Sequence, residues 1–387
     1  MKIVHLGNVP VPVGHPEHGR VKQHPGRWVL NHALAQKSAG LDVEVVSQAH
    51  KASCDFDCEI GGVPVHFLRT FHPYRHFTFY ALDAWRMSRF VRRLGPDVIH
   101  AHGTEAAYGH AAVRSGLPFC VTAQGLFFQI IPTLGRPPTW SERFLALGET
   151  MVWNRTKWAI AKSPYGAKGL RDRFPHLEVE LIYNTYDPIF DKPLAEKNGP
   201  LAVFVGTIDR RKGFHLLPRV FSDVVARCPE TILHVVGNAP EGLGSNYEQT
   251  HVRALRRILG SRLVLHGKLP VEGVVSVLDR CRLIVAPSLE EMSGNQVTEG
   301  LLRGCHAVVF EETGVAGIVS QVGNCSIVPF ADASAFARAV VSNLSAPFDL
   351  ARAESSRKAV QDLMSRTGVA LRHANWYRRI LEARGTP

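Results

Sequence analysis

No run of about 18 consecutive apolar residues occurs anywhere in the 387-residue chain, so no segment has the make-up of a membrane-spanning helix. The start, MKIVHLGNVPVP, reads as a short strand and a Pro-rich loop rather than a cleavable leader, and the expected location is the cytoplasm. Cysteine is scarce. Seven scattered residues, an odd number, argue against a disulfide framework and for reduced thiols. Cys54 and Cys58 are the close pair, but no two further zinc ligands stand at suitable spacing. No G-x-G-x-x-G follows the first strand and no Walker-type loop occurs, which argues against dinucleotide enzymes and P-loop kinases. Repeats, low-complexity tracts and recognisable RNA- or DNA-binding modules are also missing, so nucleic acid is not an expected partner.

What is present is an ordinary globular composition, 45% hydrophobic and 20% charged, with a surplus of cations: 45 Lys and Arg against 34 Asp and Glu, net +11. Such a charge favours anionic partners without choosing among them. The densest basic and aromatic stretch, residues 67–94, interleaves Arg86, Arg89, Arg92 and Arg93 with Trp85 and Phe90. It reads either as a helix with solvated arginines or as a surface for peripheral contact with an anionic membrane on its inner face. Asp55-Phe56-Asp57 spells a DxD string but falls in a short hairpin-like connection, where it carries little weight.

Short apolar runs alternate with helical patterns through both halves, the signature of βαβ units and parallel sheets. KIVHL, DVEVVS, VHFL, VIHA, FCVTA, WAIA and VELIY are the strand candidates of the first half; LAVFVG, TILHVVG, RLVLHG, RLIVAPS, HAVVF and CSIVPF are those of the second. Between them, residues 184–200 are polar and rich in Pro and Gly, as a linker would be. The expected organisation is a Rossmann-like domain over residues 1–190, a second over 198–367, and a last amphipathic helix, 368–387, returning to the first.

Ligands of open parallel sheets bind beyond the carboxyl ends of strands. After LAVFVG come Arg210, Arg211, Lys212 and Gly213, a cationic turn opening a helix; it suits a diphosphate, and by itself it equally suits a solvated turn. After RLIVAPS come Glu291, Ser293, Gly294, Asn295, Gln296 and then Glu299 within a helix. Paired carboxylates can accept hydrogen bonds from sugar and ribose hydroxyls, though a capped helix is the plainer account of that spacing alone. In the first half His100 and His102 end one strand, Gln124 and Gly125 follow another, and the loop with His15, His18, His24 and Gly26 precedes the first helix, where it could seat a phosphate or an acceptor.

The ordered co-occurrence of VIHAHG, VTAQG, LIYNTYDPIF, FVGTIDRRKG, LHGKLP and APSLEEMSGNQVTEGL closely resembles glycosyltransferase family 4 over nearly the whole chain. The resemblance implies the GT-B fold, two facing doubly wound Rossmann-like domains with a cleft between them. It also implies retaining, metal-independent hexosyl transfer from a nucleotide diphosphate sugar, UDP- or GDP-linked, to a hydroxyl acceptor in glycan, polysaccharide or glycolipid synthesis, with no separate cofactor. On that resemblance Arg211 and Lys212 neutralise the pyrophosphate beside Gly206 and Arg210, Glu299 holds the ribose and Glu291 the donor sugar. Lys268 and Leu269 frame the base, and Ser293 to Gln296 bring main-chain amides to sugar and phosphate. His102 stands near the transferring sugar and meets Glu291 on domain closure; Gly26 and Gln124 lie on the acceptor side. The chain departs from the family pattern at Thr207, Gln124, Asn184-Thr185 and Pro25-Gly26, where Arg, His, Asn-Gly and Gly-Gly are usual. Other GT-B activities, epimerase or phosphorylase, and a non-catalytic sugar-nucleotide-binding homologue are the alternatives.

Overall fold

A computed structural model describes residues 1–21, 26–70, 75–239 and 245–385. The chain divides into two compact units, one of residues 1–131, 136–185 and 364 onward, the other of 132–135 and 186–363.

Eight strands form the sheet of the first unit: β1 (Lys2–Leu6), β2 (Asp42–Ala49), β3 (Phe56–Ile60), β4 (Val63–Arg69), β5 (Val98–His102), β6 (Phe119–Thr122), β7 (Trp158–Ala161) and β8 (Glu178–Leu181). Their spatial order is β3-β4-β2-β1-β5-β6-β7-β8. All pairings are parallel except the β3–β4 hairpin, in which Phe56 faces Phe67. Strands covered on both faces read as unbroken apolar runs, which is why VIHAH is buried along its full length. The helix Arg366–Gly385 packs on Trp28–Ser38 and sets Val369, Trp376, Tyr377 and Ile380 against Ile3, Val98 and Ile160 of the sheet. Gly40, at φ +84°, follows the end of Trp28–Ser38 in the left-handed conformation that the glycine at that place predicts.

The second unit has six strands, β9 (Leu201–Val205), β10 (Ile232–Val236), β11 (Leu263–Gly267), β12 (Leu283–Ala286), β13 (His306–Phe310) and β14 (Cys325–Val328), all parallel, in the order β11-β10-β9-β12-β13-β14. Phe204, Phe214, Leu217, Phe221, Phe310 and Phe336 make the largest part of its core on one face.

The polar stretch 184–200 is not an open tether along its length. Arg303, nearly fully buried, donates to Phe190 O at 3.2 Å, Lys192 O at 2.7 Å, Pro193 O at 3.3 Å and Asp279 Oδ1 at 2.6 Å, and Lys197 Nζ donates to Leu278 O and Cys281 O. A strap without a hydrophobic pattern is held to the second unit by two buried cations. Arg303→Ala leaves three carbonyls without their donor and is expected to cost roughly 3 kcal/mol, read as a lower urea midpoint.

All seven cysteines are free. Asp55 accepts from Arg86 at 2.7 Å and from the Arg69 N–H at 2.7 Å, and Asp57 from His66 at 2.8 Å, so the DxD string is tied into the hairpin.

Candidate functional site

In each sheet the chain winds outward in two directions from one pair of central strands, β1 and β5 in the first unit, β9 and β12 in the second. Loops leaving the carboxyl ends of such a pair part to opposite sides and leave a crevice, the usual place for a ligand in open α/β sheets. Gly206, Arg210, Arg211, Lys212, Glu291 and Ser293 to Gln296 follow β9 and β12, and His102 ends β5, whereas Lys268 and Leu269 follow the edge strand β11.

In the second unit the turn after β9 runs through Arg210, Arg211 and Lys212 into Gly213, and the turn after β12 carries Glu290 and Glu291. Leu289 N–H donates to Arg211 O at 2.7 Å, Lys212 N–H to the Asp209 carboxylate Oδ1 at 2.7 Å and Gly314 N–H to Glu291 O at 2.7 Å, which ties down the main chain of both loops. Gly213 has φ +70°, and a Cβ there would lie 1.7 Å from Pro287 O; only glycine lets the two loops approach this closely.

The side chains pair across the loops. Lys212 Nζ meets Glu291 Oε2, which also accepts from Gln296 Nε2 at 3.2 Å, and Arg211 Nη1 reaches Glu290 Oε2 at 3.2 Å. Burial pushes the Glu291 carboxyl up, but the charges of Lys212 and Arg211 and the hydrogen bonds outweigh it and bring the carboxyl down to about 2. Glu290 goes the other way: burial, with the neighbouring Glu291 charge adding to it, raises its carboxyl to about 6 against the pull of Arg211. Its Oε1 is buried without a hydrogen-bond partner. The sequence reading singled out Glu291 and passed over Glu290, although the adjacent acid carried the signal.

Gly294 takes φ +62° and opens the helix Asn295–Leu302, so Ser293, Gly294, Asn295 and Gln296 form its N-terminal end beside Glu291, where the helix dipole favours negative charge. Glu299 lies more than a turn further along. Its side chain is partly exposed, yet burial of the carboxyl, reinforced by Asp187, raises it to about 8. Gly206 ends β9 at φ +151°, Lys268 is exposed immediately after β11, and Leu269 packs on Gly273.

In the first unit His102 ends β5 beside His5 of β1, with Nε2 of one 2.8 Å from Nδ1 of the other. His100 joins them, and the ligand atoms of the three lie within 4.8 Å. Each ring nitrogen already has a protein partner: Gln36 for His5, Tyr377 and Thr122 for His100, Gln124 for His102. The trio is therefore a hydrogen-bonded network rather than a set of lone pairs aimed at one point. Burial pulls all three imidazoles below their ordinary range, His5 to about 4.

Gln124 Oε1 accepts from Lys162 Nζ at 2.5 Å, and that ammonium lies 5.7 Å from the centre of the Trp28 ring. A Cβ on Gly26 would overlap the same ring, at 1.4 Å from one of its carbons. Gly26 and Gln124, both placed on the acceptor side from sequence, are thus joined through Trp28 and Lys162. Sequence reasoning missed Lys162; the available signal was a cation directly after the WAIA strand. Burial lowers its amine to about 7. The histidines of the first loop engage locally, His15 stacking on Phe56 and His18 Nδ1 lying 2.8 Å from Val11 O, while His24 falls outside the described residues.

Of the basic stretch 67–94, Arg86 and Arg92 donate to main-chain carbonyls of Arg69, Ser115 and Arg114. Arg89 stacks on Trp85 at 5.1 Å. Phe77, Leu82 and Trp85 are exposed. No helix among the described residues is long and apolar enough to cross a membrane.

Comparisons with known proteins bear on the family and the fold. Residues 25–189 match the family described as Glycosyltransferase Family 4, and residues 186–361 match Glycosyl transferases group 1. The 2-deoxystreptamine N-acetyl-D-glucosaminyltransferase of Streptomyces fradiae is 24% identical over 298 residues, 70% of this chain and 68% of that protein. Among solved structures, sucrose-phosphate synthase from Thermosynechococcus elongatus superposes with a TM-score of 0.81 at 19% identity, covering 99% of each chain. Anabaena HepE in complex with UDP and glucose gives 0.68 at 16% identity over 100% of each, and the lipopolysaccharide glycosyltransferase WaaG 0.68 at 14% over 100% of each. With two parallel α/β units of GT-B type and family matches that together run from residue 25 to residue 361, the chain belongs to glycosyltransferase family 4.

Proposed function

We propose that this glycosyltransferase takes its sugar from a UDP-linked donor and passes it, with retention at the anomeric carbon, to a hydroxyl of a glycan, lipid or small-molecule acceptor. The observation that carries this reading is the meeting of Arg211 and Lys212 with Glu290 and Glu291 at the β9/β12 crevice. Cations, the helix end at Asn295 and two acids in one place suit a ligand that is anionic at one end and rich in hydroxyls at the other. The UDP in the Anabaena HepE complex and the UDP-2-fluoro glucose bound in a similar E. coli structure support the choice of uridine.

The mechanism follows from charge. As the glycosidic bond breaks, negative charge accumulates on the departing diphosphate, where Arg211, Lys212 and main-chain amides stabilise it without a metal ion. Freed from Lys212, the Glu291 carboxylate can accept from the donor sugar's hydroxyls. Both carboxyls at this crevice are engaged by cations, Glu291 by Lys212 and Glu290 by Arg211, so front-face attack by the acceptor hydroxyl, with a leaving phosphate oxygen taking its proton, is the favoured course. The presence together of Arg211, Lys212, Glu291 and Glu299 speaks against a non-catalytic homologue. Exposed Phe77, Leu82 and Trp85, with Arg89 on Trp85, extend the proposal to peripheral contact with anionic lipid.

The test is transfer from UDP-sugars to a panel of hydroxyl acceptors, with the product's anomeric configuration read by NMR and donor-only and phosphate controls for epimerase and phosphorylase activity. Inverted product, or turnover of donor only in the controls, would overturn the reading. Glu299 supplies an independent check. Its carboxyl holds a proton below about pH 8, whereas a ribose diol binds best to the carboxylate. Donor affinity is therefore expected to rise roughly tenfold between about pH 6.5 and 8.5, and Glu299→Gln to flatten that rise.

A further inference from the structure

A single line of hydrogen bonds crosses the interior of the first unit. Lys162 Nζ to Gln124 Oε1 is 2.5 Å, Gln124 Nε2 to His102 Nδ1 3.4 Å, His102 Nε2 to His5 Nδ1 2.8 Å and His5 Nε2 to Gln36 Oε1 3.0 Å. It continues from Gln36 Nε2 to the Tyr377 hydroxyl at 3.1 Å, from there to His100 Nδ1 at 2.6 Å, and from His100 Nε2 to Thr122 Oγ1 at 2.6 Å. His5, Gln36, His100, His102, Thr122 and Lys162 are all buried.

Donor and acceptor identities along this line are not free. An ammonium has only hydrogens to give, so below about pH 7, where Lys162 is charged, Gln124 must turn its oxygen to Lys162 and its NH2 to His102. His102 Nδ1 then accepts, and a neutral ring carries its one hydrogen on Nε2, directed at His5. His5 must accept at Nδ1 and donate from Nε2 to Gln36; Gln36 donates to Tyr377, Tyr377 to His100, and His100 to Thr122. Every link is satisfied by this one assignment. Neutral rings are what the burial of His5, His100 and His102 requires.

We infer that Lys162 is a positioning residue of the transferase: acting through the Gln124 amide, it holds His102 in the Nε2–H tautomer with its Nδ1 lone pair turned toward the strand-end side. The Gln124–His102 contact is the longest of the line and lies at the strand ends, so it is the link that a substrate hydroxyl can replace. His102 would then take a hydrogen bond from that hydroxyl and would not give a proton to it. The use of this tautomer in catalysis rests on the proposed place of His102 at the transferring sugar; the tautomer itself does not.

Long-range 1H–15N correlation spectra of the full-length chain with 15N-labelled histidine test it, His102 being assigned by its loss in His102→Gln. The expected result, recorded below about pH 7, is His102 protonated at Nε2 in the parent protein. In Gln124→Glu, where only carboxylate oxygens face the ring, it should be protonated at Nδ1. Lys162→Met should give a mixed or reversed population, Lys162→Arg should restore the parent state, and kcat should fall about tenfold in the methionine variant, as the loss of one hydrogen bond to the reacting group would give. An Nδ1–H ring in the parent protein, or a tautomer indifferent to Gln124→Glu, overturns the inference whatever the activity. A tautomer that shifts in both variants while kcat stays at the parent value upholds the relay and overturns instead the place given to His102 at the sugar. The glutamate substitution is nearly isosteric, which keeps the test intact should Lys162→Met fail to fold.

Discussion

Lys212→Ala is expected to lower kcat by roughly a hundred- to a thousandfold, the usual effect of removing one preorganised donor from a developing oxyanion. The diphosphate of the proposed donor carries charge before and after the sugar leaves, but it gains charge as the bond breaks, so a nearby ammonium would be worth more in the transition state than in the bound donor. Donor binding should therefore suffer less than turnover, with single-turnover rates separating the two. Parent-level turnover with every donor would remove Lys212 from the mechanism. Stability supplies a second readout. Glu291, held down to about 2, is ionised in the folded protein where an unfolded chain's carboxyl would be protonated; its contribution is present above the ordinary carboxylate range and is lost as the pH falls from about 4.5 toward about 2. Without Lys212 that acid-side loss should shrink, because the carboxyl would take its proton at a higher pH.

Glu291→Ala is expected to move two affinities in opposite directions. The carboxylate pairs with Lys212, and Arg211 reaches Glu290, so the diphosphate of the proposed donor must compete for cations that already have partners. Removing Glu291 frees the Lys212 ammonium, and binding of UDP alone should tighten several-fold, measured by calorimetry. The sugar end loses its acceptor, and kcat/KM for the nucleotide sugar should drop about a hundredfold or more, in keeping with the worth of charged hydrogen bonds made to hydroxyls. Equal weakening for UDP and UDP-sugar would mean that Glu291 only shapes the loop. Its main-chain oxygen, which accepts from Gly314 N–H, is untouched by the substitution, so such an outcome could not be blamed on that contact.

The parallel α/β character of both halves could be read directly from the chain, because strand and helix periods are local properties. KIVHL, VIHA, WAIA and LAVFVG are strands for the reason their composition suggests: residues buried on both faces need no alternation. The short β3 strand was legible only as a connection, since Phe56–Ile60 gains its pairing from β4 and has no long apolar run of its own. At the site, a cationic turn and an acidic turn each at a strand end were visible, as were Gly213 and Gly294, whose left-handed backbones fit the bends they occupy.

Which charge meets which was decided by the fold. Lys212 and Glu291 stand 79 positions apart and touch because β9 and β12 are neighbours in the sheet, an adjacency that no local pattern encodes. The same holds for Arg211, which turns to Glu290, and for His100, which finds Tyr377 277 positions away on a helix that returns from the far end of the chain. Lys162 is one of 45 Lys and Arg residues with nothing in its sequence neighbourhood to name its partners; strand order put it near Trp28 and against Gln124, and burial gave it a chemistry that its residue type alone does not have. Sequence determined the repertoire of strands, turns and charged groups, since these follow from neighbours along the chain. Tertiary structure alone chose the partners, since hydrogen bonds and ion pairs are made across the sheet, between residues that topology rather than spacing brings within 3 Å or so.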